Sequence, residues 1–362
     1  MHEMTPRQRL LAAIKGEEVD RTPFSPFLAY YFESLPAEVI QKGQLQYLEE
    51  MGADPLLRGF SCPHSIHNRR CDVTEQVSGN KKTKTISTPY GNLFAEYTYL
   101  EDAKTWFLTR HPVETLEDIQ RLKAYFEDLQ VVNQVNRVND YVQEIGERAL
   151  VLPIIGIDAK SSFQSLLEYW VGTENLIYMC MDDPDEIDDL LFLMREKAKD
   201  AVRLAAECNI QACISWEDSS TTNVSPQMYS QYIAPELTDW VQILQENHIT
   251  YVQHACGLIK DLLDPIAQQG VTCIESITPF PTGNIDMLQA FEALPPSVSL
   301  IGGIDATMML NGSLEELENH VLQLLQRKGK RGFVLANSDS CPPGVAYEKF
   351  LHLAKLVQMT KI

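Results

Sequence analysis

The sequence predicts an α/β chain closed as a (β/α)8 TIM barrel, with an N-terminal helical segment and a β-hairpin or meander inserted into it. Two observations carry the barrel. The first is a set of short buried-type strands, ALVLPII, NIQACISW, ITYVQ, VTCIE, SVSLIGG and RGFVLA, separated by helical stretches. Strands alternating with helices pair in parallel and carry their helices outside. The second is where polarity falls: each strand runs apolar and ends in charged or metal-ligating residues, as strand ends do at a barrel mouth. With weaker units before these six, a closed barrel is favoured over an open sheet. The insertion, at about 69–100, is carried by β-formers alternating with polar residues around the turn signals SGNKK and TPYGN. No internal repeat or low-complexity linker interrupts 1–362, so the chain reads as one domain.

The elements follow from local chemistry. Thr5-Pro6 opens a helix running to about Lys15, a capping hydroxyl followed by Pro at the first helical position. Residues 21–35 are Pro-broken and aromatic and predict an irregular segment, with room for a short strand. Helix is expected from Pro36 to Met51, from Thr115 to Phe126, and from about Gln130 to Glu147. Asp183-Pro184-Asp185-Glu186 is a capping box. Ser225-Pro226 opens another helix, Leu258 to Ala267 has helical spacing, Ser313 begins SLEELENHVLQLLQ, and Gly344 to Met359 is the last.

At 44% hydrophobic and 22% charged, the 362 residues have an ordinary globular composition. The formal net charge of -20 excludes nucleic acid and anionic membrane surfaces as expected partners, since both need a basic face. No apolar run approaches the roughly 18 residues of a membrane span, and the N-terminus lacks the apolar core of a signal peptide. Eight scattered cysteines without such a leader do not make a disulfide framework. A cytoplasmic location is expected, as a monomer or homodimer.

The strand ends carry Asp158, Glu217 and Asp218, His254 and Cys256, Glu275, Asp305, then Asn337, Asp339 and Cys341. Carboxylates follow strands in many proteins and say little. The imidazole and two thiols are more specific. His254 and Cys256 are two apart where a strand runs out, so both point the same way. With Cys341 they make a set that zinc prefers, with one position left open. Glu217 is a candidate fourth ligand or general acid/base; the duller account is a solvated loop carboxylate, paired with Lys160. Glu275 reads equally as a structural group, Asp158 and Asp305 read as capping or loop residues before catalytic ones, and Cys273 reads as core. The His64, His67 and Cys62 set in SCPHSIH reads as a loop without metal. Tyr30, Tyr31 and Asp158 are candidate substrate contacts, with core packing as the duller account of the tyrosines.

In TPYGNLF, HPVETLEDIQRL, GTENLIYMCMDDPDEIDDLL, SWEDSSTTNVSPQMYSQYIAPEL, HACGLIKDLLDPIAQQGVTCIE, GGIDATMMLNGSLEEL and GFVLANSDSCPPG, the chain resembles the uroporphyrinogen decarboxylase superfamily and, within it, the cobalamin-dependent methyltransferases. The resemblance covers most of the chain and implies a (β/α)8 barrel. The methyltransferase branch is marked by H-x-C and a distant cysteine as zinc ligands, which fall here on His254, Cys256 and Cys341. The decarboxylases proper carry an arginine-rich N-terminal motif of the RQAGR type. Here that region reads RTPFSPFLAYYFESLP, so porphyrinogen decarboxylation is disfavoured.

The resemblance implies a zinc enzyme that moves a methyl group to or from a corrinoid. No DxHxxG-type cobalamin motif occurs, so the corrinoid (cobalamin) is expected on a separate partner protein. Zinc serves an ether donor as a Lewis acid, or a thiol acceptor by lowering its pKa. The aromatic 24–32 segment favours a neutral methoxylated, aromatic donor and an O-demethylase role. The alternative is methylcobalamin:thiol transfer of the coenzyme M type. A metal-free decarboxylase-like enzyme using Asp158 as acid, and a non-catalytic binding protein, complete the set.

Overall fold

The computed structural model describes residues 3–101, 104–328 and 331–360. Strands are, in chain order, β1 (Leu56–Arg58), β2 (His64–Asn68), β3 (Asp72–Ser78), β4 (Lys81–Thr88), β5 (Gly91–Leu100), β6 (Thr105–Arg110) and β7 (Leu129–Asn133). Then come β8 (Leu150–Leu152), β9 (Ala212–Trp216), β10 (Thr250–His254), β11 (Cys273–Ile277), β12 (Ser299–Ile304) and β13 (Phe333–Asn337). Contacts divide the chain into two compact units. One comprises Met1–Pro63, Val135–Ile155 and Ala205–Ile362; the other comprises His64–Gln134 and Gly156–Leu204.

The first unit is the barrel. β9 to β13 form one parallel sheet in chain order, and β1 pairs in parallel with β8. Ile154, just past β8, bridges in parallel to Ile214 of β9. The first staves are hidden in the Pro-broken segment. Phe24 bridges in parallel to Leu335 of β13, and Asp54 N–H donates to the Phe24 carbonyl at 2.7 Å. Residues 22–25 thus lie between β13 and β1, and eight staves close the ring, as the sequence predicts.

Helix α1 (Pro6–Ile14) plugs the floor. Thr5 and Gln8 make a reciprocal capping box, which satisfies two otherwise orphaned N–H groups. Its Leu10, Ala13 and Ile14 join the inward residues Leu152, Ile214, Val252, Cys273, Ile301 and Val334 in one apolar cluster. Below it, Asp54 receives Arg9 Nη1 at 2.6 Å, Arg21 Nη1 at 2.7 Å and the Phe24 N–H at 3.1 Å.

The second unit carries the antiparallel meander β3-β4-β5-β6, the antiparallel pair β2 and β7, and the helices Leu116–Asp128 and Thr173–Asp182. The β-rich stretch expected at about 69–100 is therefore larger, with a fourth strand reaching Arg110. Helix expected from Gln130 begins only at Val135, because Val131 and Val132 enter a strand opposite Ile66 and Ser65. The expected 36–51 helix is two, Ala37–Ile40 and Gln44–Met51, parted by Gly43 at φ +85°. Leu258 to Ala267 likewise splits into Lys260–Leu262 and Leu263–Gln268.

Candidate metal centre

Strand alternation sets the site. Along β9, Ala212 and Ile214 face the barrel core, with Trp216 packed against it; β10 contributes Val252 and β11 contributes Cys273. Continuing at period two, His254 and Glu275 stand at the same register, one across from the other. His254 Nδ1 and Glu275 Oε2 are 3.1 Å apart, and the other oxygen of Glu275 accepts from Arg58 Nε. Both carboxylate and guanidinium are buried. Arg58 is further fixed by the carbonyls of Ser25 at 3.2 Å and Leu56 at 3.3 Å, and lies over the Phe27 ring at 5.2 Å.

With Nδ1 occupied, Nε2 is left for the mouth. There Asp218 Oδ1 lies 3.7 Å from Nε2, and Cys256 Sγ lies 3.3 Å from the same oxygen. Among the described residues, Asp218, His254 and Cys256 are the group whose ligand atoms all fall within 4.8 Å of one another. Asp339 Oδ1 is 4.0 Å from His254 Nε2. A tetrahedral zinc with bonds of about 2.0–2.3 Å spaces its ligand atoms by about 3.3–3.8 Å, so the 3.7 and 3.3 Å separations at Asp218 fit a cation in the group, while Asp339 stands outside that range. A carboxylate holding the far nitrogen of a ligating histidine is the usual support for such a site.

The electrostatics agree. Burial disfavours a charged His254, but its bonds to Cys256 and Glu275 outweigh burial and hold its pKa well above the usual value. Burial likewise pushes Glu275 up, and Arg58 and His254 reverse it to below the usual range. Surroundings that hold a proton on Nε2 are those that would hold a cation. Cys256 is raised by burial, partly offset by His254, and Asp218 and Asp339 add to the rise. Neutralising those carboxylates with a cation would favour the thiolate.

The loops are interlocked. Ser220 Oγ accepts from Leu258 N–H at 3.1 Å, and Thr221 N–H donates to the Leu258 carbonyl at 2.9 Å. Gly257 sits at φ +87°, where an added Cβ would meet Ser220 at 3.0 Å, so close approach and backbone both require glycine. Asp218 adopts φ +28°, a conformation that costs an ordinary residue about 1–3 kcal/mol.

The sequence-predicted residues are distributed as follows. His254 and Cys256 are together in the group. Glu217 is buried beside it but keeps the parity of Ser215, whose Oγ donates to Glu217 Oε1 at 2.9 Å and bonds Tyr251 Oη at 2.6 Å. Its neighbour Asp218 joins the group instead. Cys341 is buried, lies outside the group, and burial pushes its thiol up to about 12. Tyr31 is buried against Tyr47, the two hydroxyls 3.0 Å apart, and Tyr30 is exposed. Asp158, in the second unit, accepts from Ser165 and from Trp170 Nε1 at 2.9 Å. Lys160 pairs with Glu168. Asp305 caps the helix Ala306–Asn311, accepting the N–H groups of Thr307 and Met308. Arg58 is not among the residues the sequence singles out: its partner is 217 positions away, and an arginine ending a buried strand is the one local signal of it.

Beside the group lies a cavity of about 420 Å³ lined by Phe27, Phe32, Ile40, Phe60, Glu33 and Arg58. Phe27 links the two: its ring stacks on Trp216 at 5.7 Å and stands edge-on to His254 at 6.0 Å. Neither Tyr30 nor Tyr31 lines this cavity.

A family model described as uroporphyrinogen decarboxylase (URO-D) matches residues 95–359. Uroporphyrinogen decarboxylases of two Prochlorococcus marinus strains, NATL1A and NATL2A, are each 21% identical over 253 residues, 67% of this chain and 67% of theirs. Among solved structures, a methyltransferase from Methanosarcina mazei superposes with a TM-score of 0.62 at 15% identity, covering 98% of this chain and 99% of that one. At that identity the likeness speaks for the fold. The matched span includes β8 to β13, and so the strands that carry His254 and Glu275: the chain belongs to the uroporphyrinogen decarboxylase family.

Proposed function

We propose that the chain is a zinc-dependent methyltransferase that moves a methyl group from a methoxylated aromatic compound to the Co(I) corrinoid of a separate protein. The observation that carries this reading is the Asp218, His254 and Cys256 group backed by Glu275. A thiolate, an imidazole and a carboxylate suit zinc. The fold shared with the Methanosarcina mazei methyltransferase supports the reaction class.

Bound zinc supplies a Lewis acid for the ether oxygen, making the phenolate a better leaving group. The protein's own residues do the rest. Glu275 and Arg58 fix the imidazole, so that Nε2 and Cys256 are preset. The wall of Phe27, Phe32 and Phe60 takes the ring, and Phe27 brings it beside His254. With a Co(I) corrinoid presented by the partner, the methyl carbon would pass from the ether oxygen to the cobalt, and the phenolate so released would take a proton from water. Arg58 is already neutralised by Glu275, so the cavity suits an uncharged ring better than a polycarboxylate.

The test is metal content, followed by methyl transfer to Co(I) cobalamin screened over methoxyaromatics and thiols. About one zinc per chain and transfer from an aryl ether support the reading. Transfer to thiols alone would reassign it to the thiol enzyme, and a metal-free protein would overturn it.

A further inference from the structure

We propose that Glu33 makes the cavity beside Phe27 selective for a donor with a positive charge: the methoxyarene it takes carries an ammonium group on a short side chain. The proposal rests on the methyl-transfer reading above and names the substrate class of that same site.

The charge balance of the cavity carries it. Its wall holds two ionisable groups, Arg58 and Glu33. The Arg58 guanidinium is fully engaged within the protein. It donates to Glu275 and to the carbonyls of Leu56 and Ser25, and it lies over the Phe27 ring at 5.2 Å. Glu33, the last residue of the helix Ala29–Glu33, is exposed, and among the described residues no hydrogen bond or ion pair engages its carboxylate. The surrounding segment has no cation to spare for it. Residues 29–51 contain Glu33, Glu38, Glu49 and Glu50 against Lys42, and Lys42 Nζ lies 3.5 Å from Glu50. Of the two ionisable groups, the uncompensated one is therefore the acid.

The rings strengthen the preference. Phe27, Phe32 and Phe60 line the same cavity as Glu33. The negative face of an aromatic ring attracts an ammonium group and offers a carboxylate nothing. An ion pair at an exposed carboxylate is weak alone, and adjoining rings add attraction while keeping water from one side of it. A volume of about 420 Å³ holds one benzene ring with a short side chain. The ether end belongs beside His254, where Phe27 stands edge-on at 6.0 Å, and the ammonium end belongs at Glu33. The formal net charge of -20 draws cations toward the chain as a whole.

The test compares three methyl ethers of one shape: para-methoxyphenethylamine, the matching alcohol and the matching arylacetic acid. With added zinc and Co(I) cobalamin as acceptor, KM for the amine is expected about tenfold below that for the alcohol, with the acid highest. Glu33→Gln should raise KM for the amine by about that factor while KM for the alcohol moves by less than about twofold. In the wild type, added salt should narrow the gap between amine and alcohol, and this needs no variant. Calorimetric binding of the same three compounds reads the order without turnover. Equal values for amine and alcohol in the wild type, no binding of the amine, or an equal rise for both in Glu33→Gln would overturn the proposal. Transfer from the alcohol would then leave the methyltransferase reading standing. Absence of transfer from all three ethers would count against that reading, and the binding order would still decide this one.

Discussion

His254 meets Glu275 across adjacent strands, Nδ1 to Oε2 at 3.1 Å, and this pairing decides which imidazole nitrogen faces the barrel mouth. It is a register property, since the two residues are direct partners in the β10–β11 ladder. Glu275→Gln keeps the shape but removes the charge that holds the ring and neutralises Arg58. Metal affinity should fall by about 10- to 100-fold. Competition with a chelator of known affinity measures it; unchanged affinity would mean that Glu275 serves Arg58 alone.

Asp54 provides the contrast, because it works at the opposite end of the barrel. Its carboxylate is almost fully buried and joins Arg9 of α1, Arg21 and the backbone of Phe24. Asp54→Ala takes from the buried Arg9 one of its two carboxylates, leaving Asp20 at 2.6 Å, and breaking a buried pair from one side costs up to about 3–5 kcal/mol. Urea unfolding should show that loss, while the metal affinity of the remaining folded protein stays that of wild type. A variant that loses metal without losing stability would contradict the division between floor and mouth.

What the sequence made legible is what period two controls. The C-terminal strands, the buried Cys273 and the convergence of His254 with Cys256 all follow from alternation between core and solvent. Where the backbone leaves that rhythm, the sequence is less explicit. Glu217 bonds Ser215 on the next strand face, and the positive φ at Asp218 brings the following carboxylate into the group with His254 and Cys256, which period two does not foretell. The first stave was obscured by Pro23 and Pro26, and paired only through Leu335 and Asp54, far away in sequence. The Arg58–Glu275 pair is equally non-local, and no pattern within either segment announces it.

His64, which opens β2 in the second unit, gives a pH prediction. Burial lowers its pKa from 6.5 to about 4, and the charge of Asp158 only partly opposes this. The folded state therefore resists protonation more than the unfolded chain does. Above pH 6.5 both are neutral and the contribution is fully present. As pH falls from 6.5 to about 4 the unfolded chain takes the proton first, and stability should drop by about 3 kcal/mol. In His64→Gln, urea midpoints across that window should fall less steeply than in wild type. Parallel slopes would show that other groups cause the acid sensitivity.

The cavity beside Phe27 makes a prediction about substrate. Phe32 lines it and is not one of the proposed ligands Asp218, His254 and Cys256, so its removal should affect binding rather than chemistry. An aromatic pair contributes about 0.5–1.5 kcal/mol beyond area, a factor of about two to twelve. Phe32→Ala should therefore raise KM for an aryl methyl ether by about that factor with little change in kcat. Methanol, a methyl donor with no ring, should show the same KM in variant and wild type. An equal rise for both donors would mean that Phe32 supports the barrel mouth as a whole, and a fall in kcat alone would place the ring of the substrate elsewhere.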